Sequence, residues 1–190
     1  MTLMMQVKKK LVLISIATIG ILVLAGLLVI TGPSAHEAGV IGSGVQISIT
    51  GSVDRSFNLT LNDSRNLAIV TVTSELVCVD GTSFGTHNWT GVRLNDLLDE
   101  AGVQASAVKV GFHATDGYTT DLTLQDAARK DVIIAFEKDG APMKEKSKLV
   151  VPGMWGYKWI SGIDQIVLYN FDFKGMWETK GYADNATIGA

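Results

Sequence analysis

An uncharged apolar segment, Leu11 to Ile30, constrains the fold of this 190-residue chain more than any other feature. As a helix with a rise of about 1.5 Å per residue, it would span roughly 30 Å, the hydrocarbon thickness of a bilayer. Three lysines at positions 8 to 10 precede it, and positive charge favours the cytoplasmic side of a membrane. We therefore expect a cytoplasmic N-terminus at 1–10, a transmembrane anchor at 11–30, and an extracytoplasmic remainder.

A cleaved signal peptide and a buried helix are the two other interpretations of this segment. Signal peptides usually have a shorter apolar region and end in a small-x-small cleavage site. The site needs a small residue at the third position before the cut. That position would be Pro33 for a cut after Ala35 and His36 for a cut after Ala38, and neither residue is small. The sequence therefore favours an uncleaved anchor in a cell membrane.

The rest of the chain divides into a tether and one domain. Residues 31–44 are rich in Gly, Ser, Ala and Pro and have no periodic apolar pattern, which is typical of a flexible tether. Residues 45–190 form a domain large enough to bury a core without disulfides. The formal net charge of −3 argues against nucleic acid as a partner.

Strands outnumber helices in the domain. Alternating or β-branched runs predict strands at Val45–Val53, Leu67–Val79, Val108–Ala114, Val132–Phe136, Lys148–Val151 and Ile163–Tyr169. Two short helices are predicted, one at Val92–Ala101 with Gly102 as its C-cap and one at Leu124–Lys130 with Thr123 as its N-cap. The pattern predicts an α+β domain.

Cys78 is the only cysteine in the chain, so it can form no disulfide within it. Three interpretations are open: a buried apolar side chain, a disulfide with another chain, or a thiolate that binds a ligand. Cys78 follows a β-branched run and precedes Val79–Asn88, a stretch of mostly Gly, Ser, Thr and Asp that we predict to be a loop. A residue at a strand end beside such a loop is well placed to meet a ligand.

Six short segments follow one another in the order found in the sulfite-oxidase-type molybdopterin-binding domain. They are Cys78-Val79, Trp89 to Leu98, Asp116-Gly117-Tyr118, Leu149 to Gly153, Lys158-Trp159-Ile160, and Trp177-Glu178 with Gly181-Tyr182. The chain resembles that family from about Val45 to Tyr182. The resemblance implies a mixed-sheet, strand-rich fold and a molybdenum–molybdopterin cofactor.

The resemblance implies that the Cys78 thiolate ligates molybdenum beside the dithiolene sulfurs of the cofactor. A soft, anionic sulfur suits a metal that other sulfurs already hold. The cofactor ends in a phosphate, which needs cations and amides. Lys158, after Gly156 and Tyr157, is the predicted anchor, and its alternative is an ordinary surface lysine. Family members often carry an arginine where this chain has Lys148.

Other candidates lie in the loops nearest Cys78. His87 and His113 flank these loops, and either can hydrogen-bond the pterin or a substrate oxygen; the alternative is an ordinary packed or solvated histidine. Asp116, Gly117 and Tyr118 are predicted to contact the pterin, or else only to build a turn. We assign Cys78, Tyr118 and His87 to the reacting centre.

These interpretations predict a membrane-tethered, extracytoplasmic molybdopterin-dependent oxidoreductase that transfers an oxo group to or from a small oxyanion or sulfoxide. The sequence has no Cys-x-x-Cys-His haem motif and no flavin fingerprint, so we expect a separate membrane or extracytoplasmic electron carrier. The alternative is a cofactor-free binding module of the same fold that recognises a ligand or protein partner. Cys78 favours the enzyme, because an exposed thiol outside the cell would oxidise.

The predicted orientation can be tested by adding a protease to intact cells. The three lysines before the anchor should keep the N-terminus inside, so the protease should remove the domain from the membrane. A cytoplasmic protein serves as the control and should survive until lysis. A domain that is cut only after lysis would show that the orientation is reversed.

Overall fold

The structure is a computed structural model that describes residues 46–60 and 67–189. The predicted cytoplasmic N-terminus, anchor and tether lie outside the described residues. Within the described ranges, no helix is long and apolar enough to cross a membrane. The described residues all belong to a single compact unit.

Ten strands in the described ranges form two five-stranded sheets. In chain order they are β1 Gln46–Gly51, β2 Phe57–Thr60, β3 Ile69–Val77, β4 Ser83–Arg93, β5 Lys109–Ala114, β6 Thr119–Thr123, β7 Ile133–Lys138, β8 Ala141–Pro142, β9 Lys148–Val150 and β10 Ile163–Tyr169. One sheet has the order β2-β1-β10-β5-β6, and the other has the order β3-β4-β7-β8 with β9 also paired to β7.

The first sheet is mixed, because β1 runs parallel to β10 while its other pairs are antiparallel. Ile49 of β1 pairs with Ile166 of β10, which pairs in turn with Phe112 of β5. All three side chains are fully buried and face one core, as period-2 alternation requires. The predicted mixed-sheet, strand-rich α+β fold is confirmed.

The second sheet packs its central strands closely. Trp89 of β4 is buried, and its indole N–H donates to the Ser74 carbonyl at 3.2 Å. At Gly91, a Cβ atom would lie 2.0 Å from the Ile134 carbonyl oxygen, so only glycine allows β4 to approach β7 here. Val132, which precedes β7, and residues 133–136 of the strand are all buried, as their unbroken apolar run predicted.

Two short α-helices connect the strands, α1 at Leu94–Ala101 and α2 at Leu124–Ala127. Both predicted caps are confirmed. Gly102 has φ 68° and its N–H donates to the last carbonyls of α1, while the Thr123 hydroxyl accepts from the Asp126 N–H at 3.0 Å. The apolar face of α1 joins the same core cluster as both sheets.

The predicted loop at Val79–Asn88 is wrong, because β4 already begins at Ser83. The polar residues of this stretch lie on a strand that β3 pairs along its length. Cross-strand bonds such as Thr73 Oγ1 to Asn88 Oδ1, 2.7 Å, replace the apolar pattern that would have indicated a strand. The connection between β3 and β4 is therefore a tight turn at residues 78–82, in which the Cys78 N–H donates to the Thr82 carbonyl at 2.8 Å.

Candidate active site

Cys78 lies on the wall of a cavity of about 490 Å³. The β3–β4 hairpin tip, the β5–β6 turn, the segment at 156–161 and the C-terminal segment all contribute to the walls. The structure thus brings together five of the residues predicted from the sequence: Cys78, Asp116, Tyr118, Gly156 and Tyr157. They come from three distant parts of the chain.

The Cys78 thiol is free and half-buried. It follows β3 directly, and its backbone is fixed by the hairpin turn, where the Gly81 N–H donates to the Cys78 carbonyl at 2.9 Å. The backbone N–H of Thr82, with a smaller contribution from the Cys78 thiol, holds the pKa of Asp80 below its usual range. Because these turn hydrogen bonds fix the Cys78 backbone at the end of β3, the sulfur has a defined place on the cavity wall.

Phenol groups also line the cavity. The Tyr118 hydroxyl donates to the Tyr157 carbonyl at 2.5 Å, and the Tyr157 hydroxyl donates to the Ala183 carbonyl at 2.6 Å. Burial raises the pKa of Tyr118 well above its usual range and that of Tyr157 to about 12. Both side chains are therefore neutral hydrogen-bond donors at physiological pH.

Lys148 is the lysine that lines this cavity. Its ammonium donates to the Ser161 hydroxyl at 2.6 Å and to the Trp159 carbonyl at 3.2 Å. An ammonium has three N–H groups, so these two contacts leave one for a ligand. Burial lowers the pKa of Lys148, since the cavity wall disfavours the charged form.

Lys158, the predicted phosphate anchor, is placed elsewhere. It is fully buried, and its ammonium lies 2.5 Å from Glu178 Oε1, 3.3 Å from Asp121 Oδ1 and 2.9 Å from the Asp121 carbonyl. Tyr157 and Trp159 on either side line the cavity, but Lys158 points into the protein. These three contacts already use its donors, so we withdraw it as a phosphate anchor.

The ion pairs around Lys158 fix one wall of the cavity. Asp121 of β6 also accepts from Lys109 at 3.0 Å and from the Gly175 N–H at 2.9 Å. Lys109 in turn lies 2.6 Å from Asp184. The C-terminal segment is thus tied down on both sides of Trp177 and Tyr182, the two aromatic residues that it contributes to the cavity.

Besides Lys158, three predicted residues do not line the cavity. His87 bonds to Asp139 and to the Phe84 carbonyl, and His113 lies 2.9 Å from the Tyr169 hydroxyl on the other sheet. Gly117 has φ 85° and builds the turn that presents Asp116 and Tyr118. The assignment of His87 to the reacting centre is therefore not supported by its placement.

Sequence reasoning did not include Phe84, Ser161, Trp177 and Tyr182 among its site residues, although all four line the cavity. Phe84 carried a usable signal, since it is the one large apolar residue in a run of Gly, Ser and Thr. Ser161 carried none, because its part in the site depends on Lys148, which is distant in sequence.

A second cavity of about 390 Å³ adjoins the first. Asp116 and Ser161 line both, and the second is also lined by Lys144 and Lys146 together with the carboxylates Glu145 and Asp164. The first cavity thus carries the thiol and Lys148, and the second adds two lysines among carboxylates. The thiol fits the metal end of a metal–dithiolene cofactor, and the lysine ammonium groups fit a terminal phosphate.

The fold and the cavities define a class of protein, a strand-rich domain with a free thiol on the wall of a ligand-sized cavity. A family model described as the oxidoreductase molybdopterin binding domain matches residues 40–177. The chain belongs to this family. Membership confirms the resemblance seen in the sequence and the predicted molybdenum–molybdopterin cofactor.

Several named proteins are similar to the chain. The uncharacterized oxidoreductase YuiH of Bacillus subtilis is 29% identical over 143 residues, which cover 72% of this chain and 71% of YuiH. The putative protein-methionine-sulfoxide reductase subunit YedZ1 of Azospira oryzae is 27% identical, with 72% of this chain and 53% of that protein covered. The mitochondrial sulfite oxidase of Drosophila melanogaster is 28% identical, but only 27% of its length is covered.

A solved structure shows the same fold. The crystal structure of the sulfane dehydrogenase SoxCD from Paracoccus pantotrophus matches with a TM-score of 0.61 at 20% identity, covering 69% of this chain and 39% of that one. The chain therefore spans less than half of this structural neighbour.

Replacing Lys158 by methionine should destabilise the domain without a direct effect on ligand contacts. The change leaves Asp121 and Glu178 buried without their cation, which should lower the free energy of unfolding by about 3–5 kcal/mol. Urea unfolding of wild type and variant measures this loss. Exposed Lys130→Met is the matched control and should change stability by less than about 0.5 kcal/mol.

If Lys158→Met keeps its stability and instead loses a phosphate-bearing ligand, Lys158 is an anchor after all. In that case the sequence-based assignment is correct, and the placement of this side chain must change on ligand binding.

Proposed function

We propose that this protein is an oxo-transfer oxidoreductase in which the Cys78 thiolate ligates the molybdenum of molybdopterin. The observation that carries the proposal is the position of the chain's only thiol, at a strand end on the wall of the large cavity. When bound, the cofactor supplies a metal that exchanges an oxygen atom and an electron pair with a substrate. The chain's own residues must hold the cofactor, orient the substrate and limit access of water.

The lysines of the two cavities suggest how the cofactor is held. Cys78 provides the soft anionic ligand, and Lys144 and Lys146 of the neighbouring cavity are the cations for the phosphate end, where they must outweigh the carboxylates Glu145 and Asp164. Tyr157 and Trp177 add aromatic side chains to the walls of the first cavity. A thiolate is the ligand form, so binding of the metal removes the thiol proton.

The cavity favours a neutral sulfoxide over a small anion. Its walls near Cys78 include Leu76, Val79 and Phe84. Among the described residues that line it, Lys148 is the one lysine and Asp116 the one carboxylate, so the cavity has no excess of positive charge to select an anion. A sulfoxide combines a polar S–O bond with apolar substituents, and both parts find a match here. The relative named as a methionine-sulfoxide reductase subunit supports the same substrate class.

One donor is free to orient the S–O bond. Lys148 has one N–H left after its contacts with Ser161 and Trp159. A donor aimed at an oxygen that gains negative charge lowers the barrier to its transfer. We assign this role to Lys148, while Tyr118, whose one O–H is donated to the Tyr157 carbonyl, would have to leave that partner to bind the substrate oxygen.

The remaining parts of the proposal concern location and partner. The apolar segment at 11–30 and the lysines before it support a single membrane anchor with the domain on the extracytoplasmic side. Reduction of a sulfoxide consumes two electrons and two protons and releases water. We propose that a membrane or extracytoplasmic carrier supplies the electrons.

Cys78→Ser should abolish oxo transfer and lower the molybdenum content of protein made in a host that synthesises the cofactor. A turn residue that is half-buried loses little packing on exchange of sulfur for oxygen, so stability should fall by no more than about 1 kcal/mol. Elemental analysis, sulfoxide reduction and the melting temperature are measured together. Val79→Ala, next in the turn, is the control and should keep its metal.

A different pattern would contradict the enzyme. If wild type and Cys78→Ser both lack molybdenum and the variant unfolds at a much lower temperature, Cys78 is a packed core residue. The domain would then be the cofactor-free binding module that the sequence left as its alternative function.

A further inference from the structure

The β3–β4 hairpin contains a bulge directly beside the cavity. Glu75 pairs with Thr86 and Val77 pairs with Ser83, so Leu76 faces two residues of β4, Phe84 and Gly85. Gly85 has φ 88°, a left-handed conformation that glycine adopts without steric cost. An extra residue in one strand changes the face on which the next side chain lies.

The bulge brings Phe84 to the mouth of the cavity. In a regular strand, alternation would put Phe84 on the sheet face opposite to that of His87 and Trp89. The bulge moves Phe84 to their face, which is also the face of Leu76, and both Phe84 and Leu76 line the cavity. The Phe84 side chain is 59% exposed, so it forms the rim and not the floor. Its ring therefore borders the cavity on the solvent side.

His87 ties this bulge to the β7–β8 turn. Its Nδ1 lies 2.7 Å from Asp139 Oδ2, and its Nε2 lies 2.9 Å from the Phe84 carbonyl oxygen. A carboxylate and a carbonyl only accept, so each contact needs an N–H on the ring. A neutral imidazole carries one N–H and an imidazolium carries two. The two contacts together therefore require the protonated ring.

The surroundings of His87 keep its carboxylate partner ionised. The Asn88 N–H donates to Asp139 Oδ1 at 2.9 Å, and this bond, followed by the one from His87, holds the pKa of Asp139 below its usual range. Lys138 of β7 is the nearby cation, and its ammonium lies 5.5 Å from the centre of the Trp89 ring. On β3, the Glu75 carboxylate accepts from the Ser83 hydroxyl.

We propose that His87 is a positioning residue: as an imidazolium it fixes Phe84 at the cavity mouth, and it releases Phe84 when the ring loses its proton. The imidazolium carries the second N–H that the two contacts need, so the hairpin tip is held more tightly in acid than in alkali. The consequence for substrate affinity rests on the function proposed above. The consequence for hairpin order does not.

Hydrogen–deuterium exchange of residues 79–86 in the full-length chain tests this directly. Protection is compared at about pH 5.5 and about pH 8.5, on either side of histidine titration, after correction for intrinsic exchange rates. In wild type, protection should fall about tenfold with rising pH, as loss of a hydrogen bond to a charged group implies. His87→Gln cannot titrate and should show the lower protection at both pH values.

His113→Gln is the matched control, because His113 contacts Tyr169 and lies away from the hairpin. It should keep the wild-type pH response. Asp139→Asn removes the carboxylate and should reduce protection at acidic pH, which provides a second variant if His87→Gln folds poorly. A wild-type hairpin whose protection does not change with pH, or a His87→Gln protein that keeps the change, would overturn the proposal.

The catalytic consequence has its own readout. With methyl phenyl sulfoxide as the probe and molybdenum-loaded protein, KM should change with pH in wild type and stay constant in His87→Gln, while kcat follows the same pH profile in both. Absence of any turnover in wild type would count against the proposed enzyme, and the exchange result would still decide the role of His87. A KM that depends on pH identically in both proteins would count against His87 as a positioning residue.

Discussion

The buried ion pair between Lys158 and Glu178 is the contact on which the cavity depends. A charge withdrawn from water is costly unless it is paired and hydrogen-bonded, and here Asp121 completes the set around the Lys158 ammonium. Because Asp121 belongs to β6 and Glu178 to the C-terminal segment, the pairing holds that segment against the first sheet. Trp177 and Tyr182 can then serve as a wall, although neither takes part in the ion pairs themselves.

The cavity wall formed by the β3–β4 hairpin depends on backbone geometry instead of charge. The tight turn after β3 and the bulge at Gly85 together put Cys78, Leu76 and Phe84 around one opening. If Cys78 ligates the metal as proposed, a thiol held at a strand end has little conformational freedom to lose on binding. The β3–β4 hairpin contributes this thiol and the Phe84 ring, and the C-terminal segment contributes the aromatic residues Trp177 and Tyr182.

Features governed by neighbouring residues could be predicted from the sequence. Gly102 and Thr123 cap their helices through bonds within a single turn, and β10 occupies the segment that its apolar pattern indicated. Features governed by distant residues could not. The burial of Lys158 depends on carboxylates elsewhere in the chain, and the strand at Ser83–Arg93 depends on pairing with β3, which its polar composition conceals.

Molybdenum K-edge X-ray absorption of the cofactor-loaded protein shows directly whether the Cys78 thiolate binds the metal. We expect Cys78→Ser, prepared with enough metal for measurement, to show one sulfur scatterer fewer per molybdenum than wild type. Val79→Ala should match wild type. An equal number of sulfur scatterers in wild type and Cys78→Ser would mean that the metal is held without this thiol, and Cys78 would not be its ligand.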